Sequence, residues 1–258
     1  MNATQDISYA ALALSLVFVA GAGVASLMFQ LKLGKDLFWG TVRTIAQLFL
    51  MGFVLRYVFA FDQWYLVVAV FGVMILFAAH IARGRVRASP VPVFLPVFLS
   101  MLLSYMLVTF VVVAVIVQAR PWYHPVYFIP IGGMIIGNSI SAVAISLERL
   151  FGELKKRREE IELYFCVGAN YREASADIFR SAIRAGMIPS ITAMMGVGIV
   201  WLPGMMTGQI LAGADPLVAV KYQIMVMLML VGSTAVASVL VVWMVRKKCF
   251  TADDRMKR

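Results

Sequence analysis

The polar residues whose types and spacing suggest a specific chemistry are concentrated between residues 148 and 186, which we call the polar segment. Gly168 can adopt the positive φ that ends a helix, and Asn170 can cap the helix that follows. Glu173 stands three residues after Asn170, which is the spacing of a capping box. The chemistry that this pattern predicts is reciprocal hydrogen bonding around a tight turn between two helices.

The second of these helices is predicted to be amphipathic. Its apolar residues recur at a spacing of three to four, and charged residues fall on the other side. An ordinary solvated loop on a membrane surface would show the same pattern. The apolar positions are Tyr171, Ala174, Ile178, Ala182 and Ile183.

Other polar residues stand inside apolar runs, where each needs a partner. Arg43 and Gln47 are four residues apart on one helical face; Arg43 can extend to the membrane surface, and a role of the pair in a substrate path is the alternative. A GxxxG pair, Gly133 and Gly137, precedes Asn138 and Ser141. Helix packing explains such small and polar residues as simply as a pathway does.

A second GxxxG pair follows Pro203 in the sequence WLPGMMTGQI. This stretch can end a helix and form an irregular outer loop or re-entrant turn. Its methionines and glutamine would offer weak ligands to a passing substrate. The candidate pathway or gate residues are therefore Arg43, Gln47, Asn138, Ser141, Met205, Met206 and Gln209.

Enzyme chemistry has no support in the sequence. No nucleophile and base, and no set of metal ligands, stand at a recognisable spacing, so no catalytic residue is predicted and the metal ligands stay unassigned. The sequence also lacks the GxxxxGK[ST] phosphate loop, so the chain is not itself a P-loop ATPase.

The composition predicts an integral membrane protein. Of the 258 residues, 62% are hydrophobic and only 14% are charged. No apolar run shows the alternation of a barrel strand, so we expect an all-α fold with about seven transmembrane helices. The runs are Ile7 to Phe29, Phe38 to Val58, Trp64 to Ile81, Val93 to Val117, Val126 to Leu147, Met187 to Met206, and Gln223 to Val245.

The basic residues predict how the chain crosses the membrane. Most of the 23 lysines and arginines fall on one side of the runs, above all in the polar segment and after residue 245. The positive-inside rule then puts the N-terminus outside, and the polar segment and the C-terminus in the cytoplasm. The net charge of +10 is accounted for by topology and membrane lipid, and nucleic-acid binding is not expected.

The polar segment resembles the cytoplasmic loop of ABC transporter membrane subunits, in which a glutamate is followed six residues later by Gly-Ala-Ser. Here Glu162 precedes Gly168, Ala169 and Asn170, and Glu173 and Pro189 follow. Leu163 and Tyr164 stand where that family usually has alanines, and a proline expected near Ala182 is missing. The resemblance implies that residues 148–186 dock on a separate ATPase subunit. It assigns the coupling role to Glu162, Gly168, Ala169, Asn170, Glu173 and Ile178.

Two further blocks, IPIGGMIIGNSISAVAISLERL and WLPGMMTGQILAGADPLVAVKYQI, resemble those of FetB-type permeases, the membrane subunits of an iron-export ABC transporter of bacteria. The resemblance implies one permease domain over residues 1–258 in the bacterial inner membrane. It also implies a FetA-type ATP-binding subunit and a second copy of the chain as partners. ATP and Mg would then be held by the partner, with no cofactor on this chain, and iron efflux would be linked to oxidative-stress resistance.

Three alternatives stay open. The chain could be a secondary transporter or channel without an ATPase, although acidic residues inside the runs are scarce. It could be an ABC permease for another substrate, such as a sugar nucleotide, to which plant relatives of the resembling family are linked. It could also be a membrane scaffold or regulator that transports nothing.

Overall fold

The computed structural model describes residues 7–61, 63–86 and 89–251, and the regular secondary structure within them is helical, without a β-strand. An isolated bridge joins Val197 and Trp201. The all-α prediction is thereby confirmed. In chain order the α-helices are α1 (Tyr9–Leu14), α2 (Leu16–Met28), α3 (Gly34–Phe61), α4 (Trp64–Arg85), α5 (Phe94–Phe110), α6 (Pro125–Lys156), α7 (Arg158–Cys166), α8 (Tyr171–Ala174), α9 (Ala176–Gly196), α10 (Gly204–Leu211) and α11 (Pro216–Cys249). A π-helix, Val111–Ile116, follows α5 directly and completes its spanning stretch.

Six stretches of the described chain are helical, long and apolar enough to cross a membrane, so the protein is a multi-pass membrane protein. They correspond to every predicted run except the sixth, Met187 to Met206. There α9 begins in the polar segment and ends at Gly196, an irregular turn follows, and α10 restarts at Gly204. The count of seven spanning helices is therefore not confirmed, and the orientation stays a prediction.

The described residues divide into two compact units. The first, Met1–Asp62 with Leu211–Gly213, is built around the hairpin of α2 and α3. Ser15 separates α1 from α2, and its hydroxyl donates to the Leu12 carbonyl at 2.6 Å. Almost every side chain of these helices is exposed, which in a spanning helix leaves apolar surface for lipid or another helix to cover.

The second unit, Gln63–Ile210 with Ala214–Arg258, contains the buried core. Helix α6 is its centre and contacts α4, α5, α9 and α11. Gly132 of α6 lies directly beneath the Phe71 ring, so that a Cβ at this position would overlap it. The Phe71 ring also meets Phe128 edge-on, with 5.2 Å between centroids. The absence of a side chain at Gly132 thus lets α4 and α6 approach closely.

Candidate functional site: the polar segment

The first nine residues of the polar segment, 148–156, form the C-terminal end of α6. Because α6 has 32 residues it is about 48 Å long, which exceeds the hydrocarbon thickness of a bilayer by several turns. Helix α6 ends at Lys156, and α7 begins at Arg158, so that Arg157 alone separates them. At this bend Arg157 Nε donates to Glu160 Oε2 at 2.7 Å, and the pairing raises the pKa of Arg157 and lowers that of Glu160.

The turn after α7 has the predicted geometry. Gly168 adopts φ +87°, which a residue with a side chain rarely does. The Asn170 Oδ1 accepts from the backbone N–H groups of Arg172 and Glu173 at 2.9 and 3.0 Å. In return the Asn170 N–H donates to Glu173 Oε2 at 2.9 Å. The capping box is complete, and it fixes the direction in which the chain leaves the turn.

The tip of this turn presents apolar side chains to the surroundings. Val167 is 81% exposed and Leu163 is 68% exposed, and Tyr164 is exposed beside them. We call Leu163, Tyr164 and Val167 the apolar tip. Glu162 is also exposed and accepts from Arg158 Nε at 2.8 Å, one helical turn earlier. Exposed apolar side chains that adjoin charged ones on a rigid turn are typical of a protein interaction surface.

An aromatic cluster anchors the turn to the C-terminal end of α11. The Tyr171 ring lies 5.5 Å from the Phe250 ring, and the Phe165 ring meets Phe250 edge-on at 6.1 Å. The Arg246 guanidinium lies over the Phe179 ring, 4.3 Å from its centroid. These contacts bury Phe250 and Arg246, so the residues around the turn are packed against a spanning helix.

Helix α9 carries the segment back into the bundle. Ile178 is buried, as its place in the apolar pattern predicts, and so are Ala174 and Ala182. Two turns after Ile178, Gly186 packs where α9 meets α6 and α11. A Cβ at this glycine would lie 2.7 Å from the Ala142 carbonyl oxygen and 2.9 Å from Ser238 Oγ, and would overlap Ser146 Oγ. No other described glycine meets two helices so closely.

The candidate pathway residues are not brought together as one group. Arg43 and Gln47 are exposed on α3, in the first unit. Asn138 is exposed on α6, and its side-chain amide donates to the Met134 carbonyl of its own helix at 3.1 Å. Ser141 accepts from Arg85 Nη1 at 3.1 Å.

The remaining candidates lie on α10. Met205, Met206 and Gln209 are half-buried there, and the Oε1 atom of Gln209 is shielded without a hydrogen-bond partner. The role of all seven pathway candidates stays a prediction. Across the described residues, no three His, Cys, Asp or Glu side chains form a group that could hold a metal ion.

Comparison with known proteins identifies the family. The model of the "Uncharacterised protein family (UPF0014)" matches residues 9–250. This chain belongs to the UPF0014 family. A UPF0014 membrane protein of Synechocystis is 37% identical over 92% of both chains. The "Probable iron export permease protein FetB" of Escherichia coli K12 is 32% identical over 98% of this chain and 96% of its own.

The relatives extend to plants. The "Protein ALUMINUM SENSITIVE 3" of Arabidopsis thaliana is 30% identical over 88% of this chain and 82% of its own. No solved structure matches the chain. The similarity to FetB confirms the resemblance noted in the sequence, and membership in UPF0014 makes the chain a relative of membrane permeases.

Several residues of this UPF0014 chain that position the polar segment carry no clear sequence signal. Phe250 and Arg246 stand after the last apolar run, where a basic end is expected for topological reasons alone. Gly186, which is closely packed, belongs to no GxxxG pair. Gly137, Gly204 and Gly208 do belong to the recognised pairs, but a Cβ added at any of them would meet no atom within 4 Å. The close packing at Gly186 depends on Ser146 and Ser238, which are both distant from Gly186 in the sequence.

Proposed function

We propose that this UPF0014 protein is the membrane-spanning permease subunit of an ABC transporter that exports iron or a related metal ion. A separate, FetA-type subunit would hydrolyse ATP with bound Mg. The observation that carries the proposal is the apolar tip, held by a complete capping box on a turn beyond the spanning helices. A rigid apolar projection is the shape that a groove on an ATPase subunit requires.

The construction of the segment also suits the transmission of force. The turn is anchored to α11 through Phe250, and it continues into α9, whose buried Ile178 and Gly186 contact the bundle. A displacement of the apolar tip therefore moves α9 against α6 and α11. Two copies of the chain, each docked on one ATPase in a bacterial inner membrane, would alternate access as the ATPases close and open.

The proposed cargo, iron or a related metal ion, is inferred from the name of a similar protein. The Escherichia coli protein is named a probable iron export permease, and this chain aligns with almost its whole length. Energy must come from a partner, because the sequence has no phosphate loop. The proposal therefore requires both an ATPase and a cation that leaves the cytoplasm.

The test is ATP-dependent Fe(II) transport in vesicles that contain the chain and its cognate ATP-binding subunit. Wild type is compared with Val167→Asp, which puts a charge on the apolar tip, and with Gly168→Pro and Glu173→Arg, which disrupt the turn. We expect all three variants to lose both complex formation and transport. Asp177→Asn, at an exposed residue of α9 outside the tip, serves as the matched control and should retain both.

Three results would contradict the proposal. Transport that persists in Val167→Asp would show that the apolar tip is not the docking surface. Transport without any ATPase would favour a secondary transporter. A scaffold that transports nothing would leave Fe(II) in place in every sample.

A further inference from the structure

A helix is interrupted inside the sixth apolar run. Helix α9 ends at Gly196, residues 197–203 form an irregular turn, and α10 begins at Gly204. The turn is stabilised by a bond from the Gly198 N–H to the Trp201 carbonyl and by one from the Val200 N–H to the Gly196 carbonyl, both 2.9 Å. The C-terminal end of a helix carries partial negative charge, and interrupted helices in transporters use such ends to bind cations.

A partly open cavity of about 380 Å³ adjoins this interruption. Its walls come from the end of α9, the turn, α10 and the second to fourth turns of α11. Six of the lining residues are Val197, Gly198, Leu202, Val220, Ile224 and Leu228. The others are three methionines, Met194, Met206 and Met227, and one amide, Gln223.

The side-chain carbonyl oxygen of Gln223 lacks a hydrogen-bond partner among the described residues. The residue is only 6% exposed, and its Oε1 atom is buried without a hydrogen bond from any described group. A buried carbonyl oxygen left in this state is destabilising, because the hydrogen bonds that it makes to water in the unfolded chain are not replaced. An occupant of the cavity that offers positive charge or a hydrogen-bond donor would remove this cost.

The side-chain atoms that can bind an occupant share one property. The three thioether sulfurs and the Gln223 Oε1 all offer lone pairs, and none of the described residues that line the cavity is titratable. Neutral sulfur ligands select soft cations such as Cu(I), whereas Mg²⁺ and Mn²⁺ prefer carboxylates and water. The methionines therefore favour a cation of low charge over a hard divalent ion.

We propose that this cavity is a binding site for a soft metal cation of low charge, held by Met194, Met206, Met227 and the Gln223 Oε1 atom. The proposal extends the proposed function, because it gives the exporter a cation site within its membrane-spanning unit. It also restricts the range of metal ions that the site favours, because Fe(II), a borderline ion, would bind here more weakly than Cu(I). A weak site suits a transporter, since tight binding slows release.

The experiment measures Ag(I), a redox-stable ion with the charge of Cu(I), bound to the purified full-length chain in detergent. Equilibrium dialysis with metal analysis gives the number of ions and their affinity. The reference chain and every variant in this experiment carry Cys166→Ser and Cys249→Ser, because thiols bind Ag(I) more tightly than thioethers do. We expect one ion bound more tightly than the rest, and a loss of at least tenfold in its affinity in Met194→Leu/Met206→Leu/Met227→Leu. Leucine keeps the volume and apolar character of methionine but removes the sulfur.

The matched control is Met101→Leu/Met134→Leu/Met229→Leu, which removes three methionines of the same unit that do not line the cavity. It should bind Ag(I) like wild type. Equal Ag(I) binding by wild type and the cavity variant would overturn the proposal. If the triple variant does not fold, the three single variants replace it, and each should weaken binding.

Substitutions of Gln223 give an independent test, because the expected direction of change in metal binding differs between two variants. Gln223→Leu should weaken Ag(I) binding several-fold, while Gln223→Glu should add measurable Mn(II) binding that wild type lacks, because a carboxylate is a hard ligand. A residue with only a structural role would produce neither change, and that result would contradict the proposal. Binding is measured without ATP or the ATPase, so it does not depend on the transport assay. If the cavity binds Ag(I) but the vesicles export no metal ion, only the proposed function is refuted. If the vesicles export a metal ion but the cavity does not bind Ag(I), only the cavity site is refuted.

Discussion

The two ends of α9 are built in opposite ways. On its N-terminal side, separated from it only by the four-residue helix α8, the capped turn satisfies its own polar groups, through Asn170 and Glu173, and leaves apolar side chains exposed. At its C-terminal end, α9 adjoins the cavity in which the Gln223 Oε1 atom is buried without a hydrogen bond from any described group. A protein surface suits the first end, and a cation suits the second. One helix thus connects the proposed docking surface, which we call the docking end, with a candidate ligand site.

The largest expected effect tests whether the docking end depends on the aromatic cluster. Phe250→Ala removes the ring between Phe165 and Tyr171, and loss of a buried phenylalanine typically costs about 3–5 kcal/mol. We expect a lower unfolding temperature in detergent and faster amide hydrogen exchange over Tyr171–Ala174. Phe77→Ala, at a phenylalanine that is exposed on α4, should leave both unchanged. Unaltered exchange in Phe250→Ala would mean that the turn is held by its cap alone.

A second prediction addresses the connection between the two ends. Gly186→Ala should destabilise the protein by about 1–3 kcal/mol, because the new methyl group has no room between α6 and α11. Adding Ser146→Ala, which removes the overlapping hydroxyl, should restore part of the loss in thermal unfolding. Gly137→Ala has open space at its Cβ and should be neutral or slightly stabilising. Equal stability of Gly186→Ala and Gly137→Ala would show that the junction is loosely packed.

A third prediction concerns the cap itself. Asn170→Ala should cost about 1 kcal/mol, and Asn170→Asp should cost much less because aspartate caps equally well. Hydrogen exchange at the Arg172 and Glu173 amides, which lose their acceptor, should detect the change. An alanine variant with wild-type protection at these amides would contradict the assigned cap.

The smallest effect is expected at the bend between α6 and α7. Glu160→Gln removes a half-buried pair with Arg157 at the protein surface and should not change the unfolding temperature measurably at neutral pH. Since the pairing lowers the pKa of Glu160, its contribution is present above the ordinary pKa of a glutamate and is lost as the pH falls through the lowered value. A clear loss of stability in Glu160→Gln at neutral pH would show that the bend is a stabilising element in its own right.

The docking end was readable from the sequence because its determinants are local. Gly168, Asn170 and Glu173 lie within six residues, and their hydrogen bonds follow from residue type and spacing. The cavity depends on Met194, Met206 and Met227, which tertiary packing alone brings to the same walls. The sixth apolar run was predicted as one spanning helix because hydropathy does not register an interruption at Gly196. The turn at residues 197–203 lies inside an apolar stretch and is stabilised by its own backbone bonds.

The most direct test of the account uses Cys166, an exposed thiol immediately before Val167. The rate of maleimide labelling at Cys166 is measured in the purified chain and again after addition of the cognate ATP-binding subunit. The account predicts that the subunit slows labelling strongly in wild type and has no effect in Val167→Asp. An equal rate with and without a subunit that forms the complex would contradict docking at the apolar tip.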